Sequence, residues 1–294
     1  MEEMTEIGSD EMTAVITSLG AELRSLKDAG GGELMTDADP RWWTGHAPLL
    51  FPFVGRLADD HYRFDGRPFP MPQHGFARRR AFELVERDGR KACFRLDADD
   101  ATRNVYPFDF RLEMRFEIAA AALSMRARVE NRGDADMPFS FGFHPAFAWP
   151  LPYGTPAERH RILFDAEEPA PIRRVAEGTG LIAPQPEDTP VTGRLLRPTA
   201  AMFERDALIW DRMNSRGLLW GPPGGPNLRI EFPDTPWLGL WQKPGAHYLC
   251  IEPWAGMADP LGFNGNVWRK PGIMRLAPGE GREFRMHIAL TAFG

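Results

Sequence analysis

The stretch LEMRFEIAAAALSMRARVE, residues 112–130, decides the fold class of this sequence. Apolar and polar residues alternate through LEMRFEI (112–118) and again through LSMRARVE (123–130). This period of two predicts β-strands that bury one face. The alanine run 119–122 between them is short, so we interpret it as a turn rather than a helix.

The same strand signals recur on both sides of this stretch. An Asp-Gly turn separates two strand-like runs in YRFDGRPF (62–69) and again in FELVERDGRKACFRL (82–96), which predicts two β-hairpins. Glycine (29) and proline (28) are plentiful but scattered, as many turns between short strands require. Further strands are predicted at LRIEF (228–232), WLGLWQ (237–242), YLCIE (248–252) and REFRMHIALTAF (282–293). The predicted fold is therefore all-β and antiparallel, a sandwich or a barrel.

Residues 151–200 interrupt this pattern, because they are rich in proline, glycine and charge and lack long apolar runs. They could be a linker between two domains. We favour a long, loop-rich excursion within one domain that spans residues 1–294, because the strand pattern resumes afterwards in the same style.

Composition limits the classes of partner and compartment. The net charge of −6 over 294 residues argues against nucleic acid as the main partner. No apolar run approaches the roughly 20 residues that span a bilayer, and the acidic start MEEMTEIGSDEM lacks the features of a secretory signal. The two cysteines, Cys93 and Cys250, form no CxxC pair and fit free thiols in a reducing compartment. We expect a cytoplasmic protein without a membrane partner.

Several cofactor and metal motifs are absent from the sequence. It contains no GxGxxG after a strand, no GxxxxGK[ST], no HExxH and no GxSxG. The seven histidines are far apart and form no HxH pair. We therefore predict neither a cofactor nor a metal, although a metal site of the cupin type stays possible.

One candidate catalytic group lies in FSFGFHPAF, residues 139–147. On a strand, the three phenylalanines would share a core face, and Ser140, Gly142 and His144 would share the other. The small residues beside His144 would leave room for a ligand. The alternative is a histidine that only ends a strand before Pro145.

A second candidate lies in YLCIEPWAGMADP, residues 248–260, where Glu252 ends an apolar strand. Burial would raise the pKa of this carboxyl towards the range of a general base. The alternative is a glutamate that pairs with one of the many arginines.

Positive charge collects at two further places. Arg56 follows Gly55 at the end of the apolar run HAPLLFPFV and could present a fork of donors to oxygen atoms, or could simply lie at the surface. The stretch PQHGFARRR (72–80) brings His74 together with arginines 78–80 around a glycine. Such a concentration of charge in an acidic protein suggests a local purpose.

Tryptophans could supply platforms for sugar rings. Of the nine, Trp237 and Trp241 share one face of WLGLWQ, and Trp254 lies near Glu252. Aromatic faces beside polar groups suit the apolar C–H patches of a sugar, and Trp241 is our candidate. Core packing is the alternative for any tryptophan.

Taken in order, FPFVGRL, PQHGFAR, FGFHPAF and CIEPWAG resemble the aldose 1-epimerase (mutarotase) family, in the branch of the LacX-type proteins and the hexose-6-phosphate mutarotases. The resemblance runs from about residue 10 to the end and is weakest over 151–200. It implies a single-domain antiparallel β-supersandwich and the interconversion of the α and β anomers of an aldose without a cofactor.

The resemblance also implies roles for individual residues. His144 matches the catalytic acid and Glu252 the catalytic base. His74 matches a histidine that holds the sugar, and Arg56 an arginine on its oxygens.

Two further matches concern substrate binding. The family's aspartate on the sugar hydroxyls matches Asp206 in ERDALIW, with Asp211 as a rival. The arginine of HGFAR, here Arg78, contributes to a phosphate site in the sugar-phosphate branch. The expected partner is therefore a sugar or a sugar phosphate.

Two other functions stay open at this point. A sugar-binding or regulatory protein could use the same fold without turnover. A glycosidase or lyase is a further alternative, but a glycosidase usually needs two carboxylates, and here the partner of Glu252 would be His144.

Overall fold

The computed structural model describes residues 2–292. Every pairing between the strands given below is antiparallel. The strands are β1 Met4–Gly8, β2 Met12–Thr17, β3 Glu22–Asp28, β4 Leu49–Leu50, β5 His61–Phe64, β6 Arg67–Pro70, β7 Glu83–Arg87, β8 Lys91–Asp97, β9 Phe110–Ala119, β10 Ala122–Asn131, β11 Met137–Phe139, β12 Phe141–Phe143, β13 Ala146–Ala148, β14 Arg161–Phe164, β15 Leu195–Leu196, β16 Leu208–Trp210, β17 Gly217–Gly221, β18 Asn227–Glu231, β19 Trp237–Trp241, β20 Tyr248–Ala255, β21 Met274–Leu276 and β22 Gly281–Thr291.

Helix is scarce in the described part of the chain. It comprises the α-helix Asp100–Arg103 and the 3₁₀ segments Ala58–Asp60, Ala77–Arg79, Ala157–Arg159, Ala200–Phe203 and Val267–Arg269. None of these helices is long and apolar enough to cross a membrane.

Two large sheets form the sandwich. One has nine strands in the order β15-β14-β17-β18-β22-β10-β9-β8-β7, and the other follows the path β16-β19-β20-β12-β4, with β13 also paired to β20. Phe284 of the first sheet stacks on Phe141 of the second at a centroid distance of 4.9 Å, so the main core lies between the sheets. The predicted antiparallel all-β sandwich is confirmed.

Local patterns predicted the longest hairpins correctly. In β9 and β10 the apolar residues are buried in alternation, and Ala119 pairs with Ala122 across the predicted turn. Asp65 and Gly66 both have positive φ, as the tight turn between β5 and β6 requires. The last predicted strand corresponds to β22, and its final residue, 293, lies outside the described residues.

Residues 151–200 are mostly irregular, but they also supply β14 and β15 at one edge of the nine-stranded sheet. These strands are four and two residues long. Such short runs carry too little alternation to stand out against the surrounding prolines and charges.

Candidate active site

The smaller sheet brings a histidine and a glutamate together. His144 lies between β12 and β13, both of which pair with β20, and Glu252 lies within β20. His144 Nε2 lies 3.1 Å from Glu252 Oε2, with side-chain exposures of 8% and 2%. The contact lacks hydrogen-bond geometry, and neither Glu252 Oε2 nor His144 Nδ1 has a hydrogen-bond partner among the described residues. Buried atoms left unpaired in this way are costly, which favours a functional role over a structural one.

Burial sets the protonation of this pair. It raises the pKa of Glu252 well above its usual range, with a further contribution from the negative charge of Asp206. It also lowers the pKa of His144 to about 3, to which the positive charge of Arg78 contributes. Burial therefore favours the uncharged form of both groups, a carboxylic acid beside a neutral imidazole, which together hold one exchangeable acidic proton.

A cavity of about 340 Å³ opens over the pair. Its walls include six of the residues predicted for the site: His74, Arg78, His144, Asp206, Trp241 and Glu252. Segments far apart in the sequence thus converge on one concave surface of mixed polar and aromatic character, as small-molecule sites require.

His74 is held by two contacts with Gly55. Its backbone N–H donates to Gly55 O at 2.9 Å, and its Nδ1 accepts the Gly55 N–H at 3.1 Å. Burial lowers the pKa of His74 well below its usual value, so the ring is neutral, and its proton resides on Nε2 because Nδ1 is an acceptor. The next residue, Gly75, has a φ of 70°, and an added Cβ would lie 2.2 Å from Phe51 O. The bend therefore requires glycine.

Arg78 supplies a cation to the cavity wall. Its Nη2 donates to Gln73 O at 2.9 Å, and its Nε is buried without a hydrogen-bond partner among residues 2–292. Burial lowers its pKa to about 10, so the guanidinium remains charged at neutral pH. No carboxylate in the described part of the chain lies within ion-pair distance of it, which leaves donors available to a ligand.

Arg56, unlike the other predicted site residues, does not line the cavity. Its Nε and Nη2 donate to the two carboxylate oxygens of Asp60 at 2.9 and 2.8 Å. Its aliphatic stem lies beside Gly180, where an added Cβ would be 2.8 Å from Arg56 Cδ, and Gly180 lines the cavity. The guanidinium therefore lies next to the site but is already paired.

The two aspartates that compete for one role lie in different places. Asp206 lines the cavity, with a φ of 68° and its Oδ1 accepting the Ala207 N–H at 2.7 Å. Asp211 is absent from the lining, and its Oδ2 accepts from Arg173 Nε at 2.8 Å. Only Asp206 is in a position to meet a ligand of this cavity.

The sequence did not reveal some lining residues. Trp43 stacks on His144 with ring centroids 5.0 Å apart and meets Trp241 edge-on at 5.6 Å. Two adjacent tryptophans in the polar, glycine-containing stretch 37–46 are the signal that could have identified it. Val175 and Gly180, from the loop-rich segment, also line the cavity and carry no local signal.

Comparison with known proteins agrees with this architecture. The family model of aldose 1-epimerase matches residues 3–289. The chromosomal protein LacX of Lactococcus lactis subsp. lactis is 31% identical over 283 residues, which cover 93% of this chain and 94% of that protein.

Solved structures superpose over nearly the whole chain. A galactose mutarotase related enzyme from Lactobacillus acidophilus has a TM-score of 0.88 at 28% identity and covers 99% of this chain and 98% of its own. A galactose mutarotase-like protein from Lactobacillus casei has a TM-score of 0.91 at 26% identity and covers 98% of this chain and 100% of its own.

Proposed function

We propose that this chain, which belongs to the aldose 1-epimerase family, interconverts the α and β anomers of a free hexose or hexose 6-phosphate by acid–base ring opening. Family membership supports an isomerase of the mutarotase type that acts on a sugar. The observation that carries the mechanism is the 3.1 Å approach of His144 Nε2 to Glu252 Oε2 at the wall of the cavity.

Anomer exchange needs one proton removed and one supplied. The hydroxyl on C1 loses its proton as the ring oxygen O5 gains one, and the C1–O5 bond breaks to give the open aldehyde. Rotation about C1–C2 and reversal of these steps closes the ring on the other face. We assign Glu252 as the base at O1 and His144 as the acid at O5, each worth about 10²–10⁴-fold in rate.

The resting pair already contains the proton that the reaction uses. Transfer of the Glu252 proton to His144 Nε2 yields a carboxylate and an imidazolium without any change in total charge. The two atoms lie 3.1 Å apart, so the transfer needs only their alignment into a hydrogen bond when the sugar binds. Ring closure returns the proton, so the cycle needs no other acid or base.

The remaining lining groups suit a polyhydroxylated ring. The Nε2–H of His74 and the guanidinium of Arg78 can donate to ring and hydroxyl oxygens, and the carboxylate of Asp206 can accept from hydroxyls. Trp241 offers an aromatic face. We assign Arg56 to the sugar oxygens as well, which requires its guanidinium to exchange Asp60 for the ligand.

Arg78 is the group that favours an anionic substituent. It is a half-buried cation without a carboxylate partner in the described structure, whereas Arg56 is neutralised by Asp60. A phosphate usually binds more than one fixed cation. Tight binding of a hexose 6-phosphate therefore requires Arg56 to leave Asp60, whereas binding of a free hexose does not.

The experiment that tests this function follows the equilibration of pure anomers of glucose, galactose and glucose 6-phosphate by NMR or polarimetry. The wild type should accelerate at least one of them. The variant Glu252→Gln should bind the same sugar with little change in affinity but be about 10²–10⁴-fold slower, and His144→Ala should lose activity similarly. If the protein binds these sugars but accelerates the equilibration of none of them, the alternative of a sugar-binding protein would be favoured over an enzyme.

A further inference from the structure

Three metal ligands of different chemistry converge at the catalytic pair, and one of them, Cys250, has no part in the proton transfers. His144, Cys250 and Glu252 each offer a ligand atom, and these atoms lie within 4.8 Å of one another. All three side chains are buried. Among residues 2–292, no other group of at least three histidine, cysteine or acidic side chains meets this spacing.

The sheet explains this convergence. Cys250 and Glu252 are two residues apart on β20, so their side chains emerge on the same face. Cys250 pairs with Ala146 of β13, and His144 lies two residues before that alanine.

The carboxylate ligand lacks any competing partner. Glu252 Oε2 is buried and accepts no hydrogen bond within the described structure, and His144 Nε2 is the imidazole nitrogen that lies beside it. Zn²⁺ binds cysteine sulfur at about 2.3 Å, histidine nitrogen at about 2.0–2.1 Å and carboxylate oxygen at about 2.0–2.2 Å. Around one tetrahedral zinc, such atoms lie about 3.3–3.6 Å apart, so the 3.1 Å contact between His144 and Glu252 already approaches the required spacing.

We propose that His144, Cys250 and Glu252 form a zinc site and that zinc bound there inhibits the enzyme. Binding releases the thiol proton and the proton of the His144–Glu252 pair to solvent. With His144 and Glu252 both on the metal, neither can exchange protons with O1 or O5 of a sugar. His144 and Glu252 line the cavity, from which water or a sugar hydroxyl could fill the fourth zinc position. The inhibition rests on the proposed mutarotase function, but the binding does not.

Cobalt provides a test that needs no turnover, because a cobalt–thiolate bond has a strong near-ultraviolet absorption. Metal-free protein is titrated with Co²⁺, and Zn²⁺ is then added to displace it. We expect one ion per chain and a thiolate band in the wild type and in Cys93→Ala, the matched control that removes the other buried thiol. Cys250→Ala should lack the band. If that variant folds poorly, Cys250→Ser takes its place and should lack the band as well.

Anomer equilibration in the same samples measures inhibition. Saturating Zn²⁺ should slow the wild type and Cys93→Ala at least about tenfold, with recovery on addition of EDTA. The Cys250 variants should need at least about tenfold more zinc for the same loss, which is the scale expected for altering a metal site.

Three results would overturn the site: no thiolate band in the wild type, a band that persists without Cys250, or equal zinc sensitivity with and without that thiol. A band in a protein that turns over no sugar would support the metal site and refute the proposed reaction. Turnover without a band would do the reverse.

Discussion

Replacement of Lys270 by methionine tests how the walls of the cavity are held in place. Lys270 Nζ donates to Asp259 Oδ1 at 2.6 Å, and both side chains are 1% exposed. Burial lowers the pKa of Lys270 in spite of the attraction of Asp259, so desolvation outweighs the attraction within the pair. Removing one partner of such a pair leaves a buried charge without compensation and typically costs about 3–5 kcal/mol. We expect Lys270→Met to lose that much free energy of unfolding.

The same aspartate joins the two loops beside the site. Its N–H donates to Arg56 O, and its carbonyl accepts the Ile182 N–H, both at 2.9 Å. Arg56 follows Gly55, and Ile182 lies two residues after Gly180; both glycines line the cavity. Lys270→Met should therefore also lower kcat/KM for the sugar, since misplaced positioning groups raise the barrier to reaction.

Urea unfolding followed by tryptophan fluorescence measures the loss of stability. The matched control is Lys27→Met, at an exposed position of β3, which should change the free energy of unfolding by less than about 0.5 kcal/mol. The double variant Asp259→Asn/Lys270→Met should recover part of the loss, because it leaves no buried charge. A loss under about 1 kcal/mol for Lys270→Met, or a double variant no more stable than the single one, would refute the reasoning.

Three further outcomes test the site. Arg78→Ala should raise KM for glucose 6-phosphate about tenfold more than for glucose, since charge-assisted hydrogen bonds are worth about 1.5–3 kcal/mol. The exposed Arg79→Ala is the control, and equal increases in KM for both sugars would exclude a phosphate-binding role for Arg78. As pH falls, kcat/KM should decline with a midpoint below pH 6.5, because burial lowers the pKa of His144 to about 3 and its neutral form persists. A midpoint at pH 6.5 would contradict a lowered pKa for His144. Gly75→Ala should lower the free energy of unfolding by at least about 2 kcal/mol, because the φ of 70° strains any larger residue. Thermal or urea unfolding measures this loss, and an unchanged stability would show that the bend can relax.

Local chemistry made most of the fold predictable. The Asp65–Gly66 turn and the alternation through β9 and β10 each specify a hairpin on their own, because turn geometry and side-chain period act between neighbours in sequence. The order of the nine strands was not predictable, since β14 pairs with β17 as well as with β15, and β22 lies between β18 and β10. Pairings between strands so far apart in the sequence leave no signal within either strand.

The residues of the candidate site also differ in how clearly the sequence around them indicates their position. His144 and Glu252 were predictable because each ends or interrupts an apolar strand, where a titratable group conflicts with its surroundings. Trp43 and Val175 lie outside the strands and line the cavity; the pair Trp42-Trp43 was the one local signal for Trp43, and Val175 carries none. Arg56 shows the opposite problem: its sequence context is distinctive, yet Asp60, four residues later, already satisfies its guanidinium.

This division has a functional consequence. The proposed acid–base pair lies within β20 and between β12 and β13, which both pair with β20, so its geometry is set by paired strands. The other groups that we assign to sugar binding lie mainly on connecting segments around His74, Val175 and Asp206. Connecting segments tolerate substitution far better than paired strands do. If the proposed roles hold, paired strands determine the type of reaction, whereas the choice of sugar depends on loops that can change without moving His144 and Glu252.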